Sequence, residues 1–230
     1  MKTILAINTV NYGSTGRIMV GIGEEATCNG YTYWYAYAPD KKNTPARPND
    51  IVIMPYFVRQ LNEAISWITG MRGFVTHIST RAFLHKVNRI KPEIIHIHNL
   101  HNNYINIELL FKYIKKKQIK VVWTLHDCWS FTARCPYFDL LKCDKWKDGC
   151  SDCPYPLNDY PRVRINRSEA LWKRKKQAFC GVKNMIIVTP SEWLASLVKE
   201  SFLSEYPVQV INNGIDLQLF CPENNGATSN

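Results

Sequence analysis

The chain has no apolar run of about 18 residues, so no membrane-spanning helix is expected. Its N-terminus, Met1 to Asn8, has too short an apolar stretch for a secretory signal and no small-residue cleavage site. It reads as a first strand, and the expected compartment is the cytoplasm. There is no Gly-Lys-Ser/Thr, which excludes a P-loop, and no complete G-x-G-x-x-G. No helix-turn-helix, RRM or KH signature is present, so nucleic acid is not an expected partner. No aspartate pair shares one element in a way that suits glycoside hydrolysis. Internal repeats are also absent. Acidic residues are few: 19 Asp and Glu stand against 29 Lys and Arg, a formal charge of +10 over 230 residues. That balance favours anionic partners such as acidic lipid headgroups or phosphorylated substrates.

What is present suits a packed domain. The chain is 46% hydrophobic and 12% aromatic, enough for a substantial core. Thr3 to Val10 is an apolar, β-branched run, followed by the glycine-bearing turn Asn11 to Arg17. Helical spacing then holds to Asn29-Gly30. Tyr31 to Ala38 and Ile51 to Met54 read as strands. Residues 57 to 90 read as two helices broken near Gly70 and Gly73, the second with Ile78, Ala82, Val87 and Ile90 on its apolar face. Pro92 to His101 is a buried strand with a polar end. A basic helix, Tyr104 to Lys117, leads to the strand Ile119 to Leu125. Residues 128 to 160 form an aperiodic, cysteine-rich excursion. Then come a basic helix, Arg167 to Phe179, and a strand, Lys183 to Val188. Thr189-Pro190-Ser191-Glu192 reads as a capping box with Thr189 as N-cap. Val208 to Ile211 is the last strand. Alternating strand and helix predict an α/β fold, a Rossmann-like, doubly wound parallel sheet with helices on both faces.

In such a sheet the carboxyl ends of the strands face the ligand crevice. His96 and His98 lie two apart and so share one strand face. The outer one, His98, is expected on the crevice wall, where an imidazole exchanges protons with a bound hydroxyl. The alternative is a core histidine satisfied by backbone groups. His126-Asp127 ends the next strand and faces the same crevice, or else Asp127 caps a loop. Gly13 to Arg17 opens a helix whose N-terminus could hold an anion, or it is an ordinary tight turn. Cys135, Cys143, Cys150 and Cys153 have the spacing C-x7-C-x6-C-x2-C. The last pair is a half-site for a structural zinc; the alternative is buried free thiols. The basic runs Lys112 to Lys117 and Arg162 to Lys176 interleave with Trp172 and Phe179. They suit an anionic membrane surface, or else form a solvated helix face.

Taken together, these motifs resemble the N-terminal domain of GT-B glycosyltransferases of the family 4 type, retaining enzymes of bacterial polysaccharide synthesis. The matching residues are Gly13-Ser14-Thr15-Gly16, Ile94 to His98, Thr124 to Asp127, Val188 to Glu192, and Val210 to Asp216 with Phe220 and Pro222 behind. The resemblance implies a catalytic role for His98. It implies substrate contacts for Gly13, Ser14, Thr15, Gly16, Arg17, Asn99, His101, His126 and Asp127. A nucleotide-sugar donor and a glycan or lipid-linked sugar acceptor are the implied substrates. Residues 1 to 216 are expected to be the acceptor-side domain and 217 to 230 the start of an interdomain linker. Family members continue into a donor-binding domain, so that half is expected to be missing here and the fragment alone inactive. A non-catalytic glycan- or lipid-binding subunit is the alternative reading.

Overall fold

The computed structural model describes residues 2–215, apart from the Leu140 side chain. Asp216, Phe220, Pro222, Cys221 and the 217 to 230 linker expectation lie outside the described residues. Seven strands form one sheet: β1 (Thr3–Asn8), β2 (Thr32–Tyr37), β3 (Asp50–Val52), β4 (Ile94–Ile97), β5 (Lys120–Thr124), β6 (Met185–Thr189) and β7 (Val208–Val210). Every pair is parallel, in the order β3-β2-β1-β4-β5-β6-β7. The order reverses between β1 and β4. In open α/β sheets that switch point is where the crevice forms.

Period-two alternation sorts β1 onto two cores. Leu5 and Ile7 belong to the large core, with Phe83, Phe111, Trp123 and Phe179. Ala6 joins a smaller one on the other face, with Met19, Tyr33, Tyr35 and Tyr37. Helix α1 (Gly13–Cys28) covers the small core. Helices α3 (His77–Ile90), α4 (Ile107–Lys117) and α5 (Ser168–Phe179) supply the large one. The expected two-sided Rossmann-like architecture is the one observed.

Three local readings are corrected. Helix α3 buries Thr80, Phe83 and Val87, not the face of Ile78 and Ala82; Ile78 is 83% exposed. The α4 helix starts later than read, because the Asn106 side chain caps it, accepting from Leu109 N at 3.0 Å. That leaves residues 98 to 106 free to form a loop at the sheet's edge. Helix α6 (Glu192–Glu200) is capped by Ser191, which accepts from Leu194 N. Thr189 ends β6 instead, and its hydroxyl donates to Ser191 O.

Candidate substrate cleft

A cavity of about 560 Å³ opens beyond the strand ends. Ser14 and Thr15 from the first turn of α1 line one side. Asn99, His101 and Asn102 from the loop after β4, and His126 and Asp127 after β5, line the next. Pro190 and Asn213 follow β6 and β7. Strand topology thus gathers into one wall residues that lie far apart in the sequence.

That wall is cross-braced from β1. Asn8 Nδ2 donates to Val10 O at 2.9 Å and to Thr15 Oγ1 at 3.3 Å, and its Oδ1 accepts from Asn99 N at 3.3 Å. Thr9 Oγ1 lies 3.3 Å from both Asn99 O and His101 O. His101 Nε2 stands 3.3 Å from Asp127 Oδ2, while Asp127 Oδ1 accepts from Trp129 N at 2.9 Å. Gly16 lets α1 approach the loop below it. A Cβ there would sit 2.7 Å from Asn11 C, which no side chain tolerates without a shift. The helix starts at Tyr12 without a side-chain cap and with no acidic residue in its first turn, so its end groups stay available to an anion.

The placement of His98 corrects the expectation that it forms the wall. Its ring is 1% exposed and does not line the cavity. The side chain that reaches the cavity is His126, stacked on His98 with an interplanar angle of 10°. His98 Nδ1 and His126 Nε2 are 3.0 Å apart and share one proton. His98 Nε2 is buried without a hydrogen-bond partner among the described residues. Behind it, His96 Nε2 meets Thr124 Oγ1 at 2.9 Å. Burial holds His96 and His126 down at about 4, and pushes His98 well below the ordinary histidine value; neighbouring imidazoles add to this. All three rings are therefore neutral near pH 7, able both to donate and to accept. Gly13 and Arg17 do not line the cavity, and Gly16 acts from beneath it.

Sequence reasoning missed the opposite wall. Trp129, Tyr137, Tyr155, Tyr160 and Arg134 reach the cavity from residues 128 to 161, with Arg72 beside them. Only the aromatic content of that segment hinted at it. Aromatic faces opposite hydroxyl and amide groups suit a sugar, which has apolar ring faces and a polar rim.

The cysteine cluster is corrected as well. Cys135, Cys143, Cys150 and Cys153 do line one small cavity of about 10 Å³, together with Phe138, Leu141 and Trp146. Among the described residues, however, no three His, Cys, Asp or Glu side chains could hold a metal ion. Apolar side chains stand among the thiols, which are free. The arrangement does not fit the expected zinc. The basic helix also differs from its reading. Trp172 and Phe179 are core residues and Lys175 is fully buried. Arg174 pairs with Glu108, its Nε 2.6 Å from Oε1, and Lys173 with Glu169. These aromatics face inward and are not anchors for a surface.

A family profile described as Glycosyltransferase Family 4 matches residues 31–219. The chain belongs to Glycosyltransferase Family 4. It is 36% identical, over 139 residues, to WcaC of Escherichia coli (strain K12), named as a colanic acid biosynthesis glycosyl transferase. That match covers 55% of this chain and 32% of the relative. Among solved structures, sucrose-phosphate synthase from Thermosynechococcus elongatus superposes with a TM-score of 0.59 at 11% identity. It covers 96% of this chain, and the chain spans 50% of that protein. At that identity the likeness concerns the fold alone, and the fold is the Rossmann-like sheet expected of a GT-B domain.

Proposed function

We propose that this Family 4 chain is the acceptor-side part of a glycosyltransferase that builds surface polysaccharide. A glycan, carried on a lipid, sits in the 560 Å³ cavity and receives a sugar from a nucleotide-sugar donor. The reading rests on family membership, on the named activity of the 36% identical relative, and above all on one observation. The cavity lies at the strand ends and joins a polar wall to an aromatic one. The donor is expected to be held by a second domain of the whole protein, with residues 1 to 216 as the acceptor-side unit.

Sugar transfer needs a hydroxyl held in line with the breaking bond, and stabilisation of the leaving diphosphate. His126 is the group positioned to hydrogen-bond that hydroxyl. His98, the histidine singled out by the family resemblance, acts through it by fixing the orientation and tautomer of its ring. His101, Asp127 and Asn99 hold the acceptor's other hydroxyls. The uncapped first turn of α1, at Ser14 and Thr15, faces the diphosphate.

The test is transfer by the full-length gene product from radiolabelled nucleotide-sugars to lipid extracts of its host. Replacing His126 by Ala is expected to lower kcat about 100-fold or more, with a Tm lowered only modestly as His98 Nδ1 loses its partner. Replacing His98 by Ala should lower kcat and move its pH profile. Wild-type-like kcat in H126A would overturn the assignment. A wild type that binds glycan yet transfers nothing would favour a binding subunit.

A further inference from the structure

Helix α2 (Tyr56–Thr69) is inverted: it buries polar side chains and exposes apolar ones. Its fully buried residues are Asn62 and Ser66, and of its large apolar side chains Val58 is the one that packs against the core. Phe57 is 70% exposed, Leu61 59% and Ile68 48%, with Ile65 beside them. Positions 57, 61, 65 and 68 follow helical spacing, so the four form one continuous stripe. Tyr56 and Trp67 are also exposed and flank it. Helix α5, where the basic sequence runs pointed, offers no such stripe because its aromatics are core residues.

The surroundings of the stripe are cationic. Lys41 Nζ lies 5.8 Å from the Tyr56 ring centroid and the Arg164 guanidinium 5.4 Å from that of Trp67. Arg162 shares a groove with Trp67, and Arg167 packs beside Gly70 at the helix end. The nearby carboxylates Asp40 and Glu63 are already neutralised, by Arg59 at 3.1 Å and Arg72 at 2.9 Å. Asp159, in the groove with Arg162, is the remaining acid of that edge. An apolar stripe rimmed by free basic groups matches the interface of an anionic bilayer. A second copy of the chain matches it poorly, because a two-fold contact pairs the same patch with itself and would bring one basic rim against the other.

We propose that α2 is the element by which this protein docks on an anionic lipid surface, with Phe57, Leu61, Ile65 and Ile68 dipping into the headgroup–acyl boundary. No helix among the described residues is long and apolar enough to cross a membrane; the docking is peripheral. The purpose of this surface rests on the acceptor reading above. Arg72 and Tyr160 line both the groove beside α2 and the substrate cavity, so docking here places the cavity mouth next to the bilayer that carries a lipid-linked acceptor.

The experiment is co-sedimentation of the full chain with vesicles of phosphatidylglycerol and phosphatidylethanolamine, against vesicles of phosphatidylcholine, at about 0.15 M salt. Binding to the anionic vesicles is expected. The triple variant Phe57→Ser, Leu61→Ser, Ile68→Ser should lose it about ten-fold or more, at unchanged circular dichroism and Tm. Lys173→Ala with Lys176→Ala on α5 should leave it intact. Equal binding by the triple variant, or no binding by wild type, overturns the proposal. So does a wild-type dimer that the triple variant dissolves, which would make the stripe a contact between copies. A triple variant that loses single-stranded DNA binding and keeps vesicle binding would point to nucleic acid instead. Transfer to a water-soluble acceptor is measured separately. If vesicle binding holds and transfer fails, the docking stands without the enzyme reading; the converse result removes the docking alone.

Discussion

The cavity wall built from β1, β4 and β5 hangs on backbone ladders that continue through the sheet. The facing wall, residues 128 to 161, contains one short 3-10 turn and no strand, and hangs instead on side chains that reach its carbonyls. Arg134, 1% exposed, donates to the carbonyl of Tyr155, to Pro156 O at 3.0 Å and to Pro161 O at 3.3 Å. Lys175 donates to Trp129 O at 2.6 Å and Thr132 O at 3.2 Å, with its Nζ 3.2 Å from the Trp129 ring centroid. Neither basic group has a carboxylate partner among the described residues. A ladder shares its load over many bonds. A side-chain clamp concentrates it in two residues, whose desolvation opposes the fold; burial draws the Lys175 pKa well below the ordinary lysine value.

The sharpest way to break this contrast is Arg134→Met. It keeps most of the apolar volume and leaves one buried carbonyl, that of Pro161, and two partly buried ones, those of Tyr155 and Pro156, without that donor. At about 1 to 3 kcal/mol for a buried group left unsatisfied, and with water able to reach the two partly buried carbonyls, a loss of about 2 to 4 kcal/mol in urea unfolding is expected. Hydrogen exchange should speed up across residues 128 to 161 well before the β1 and β4 amides. A uniform loss of protection over both walls would show that they form one cooperative unit.

The difference between the walls also explains what was legible in the sequence. Apolar runs ending in polar residues, as at Ile94 to Asn99, reveal both a strand and the place where its ligand end lies. His126 and Asp127, read from the strand-end rule, line one cavity together with Ser14, Thr15, Asn99 and His101, which the family resemblance named; Gly13, Gly16 and Arg17 do not line it. Period two assigns a face but not a depth, so His98 was placed on the wall when it stands one layer behind His126. The clamp-held wall has no period. Tyr137, Tyr155 and Tyr160 reach the cavity through turns whose shape depends on Arg134 and Lys175, and no spacing rule exposes that. Helix α2 was readable as a helix, yet its period could not say which face is out; the polar side chains of Asn62 and Ser66 went in.

Acid should separate the walls in the opposite sense, because residues 128 to 161 contain no histidine. His96 and His126 are held at about 4 by burial, against an ordinary value of about 6.5. Since the folded pKa lies below the unfolded one, the unfolded chain takes up protons first. The stability these neutral rings contribute is complete above about pH 6.5 and is lost as pH falls towards 4. His96 alone should cost about 2 kcal/mol by about pH 4.5. Urea midpoints at three pH values check this. His126→Gln should flatten the slope, whereas Arg134→Met should lower every midpoint and leave the slope unchanged.

The smallest expected effect probes redundancy within the ladder-held wall. Asn99 O accepts from Tyr104 OH at 2.6 Å and lies 3.3 Å from Thr9 Oγ1. Tyr104→Phe alone removes one of two donors and should cost about 0.5 to 1.5 kcal/mol. Thr9→Val should cost a similar amount. With both changed, the carbonyl beside the cavity loses both side-chain donors, so the double variant should exceed the sum of the single ones. A double-mutant cycle measures that excess. Strict additivity would mean that Thr9 braces the loop through His101 O and not through Asn99, and that this wall is as singly held at Asn99 as the excursion is at Arg134.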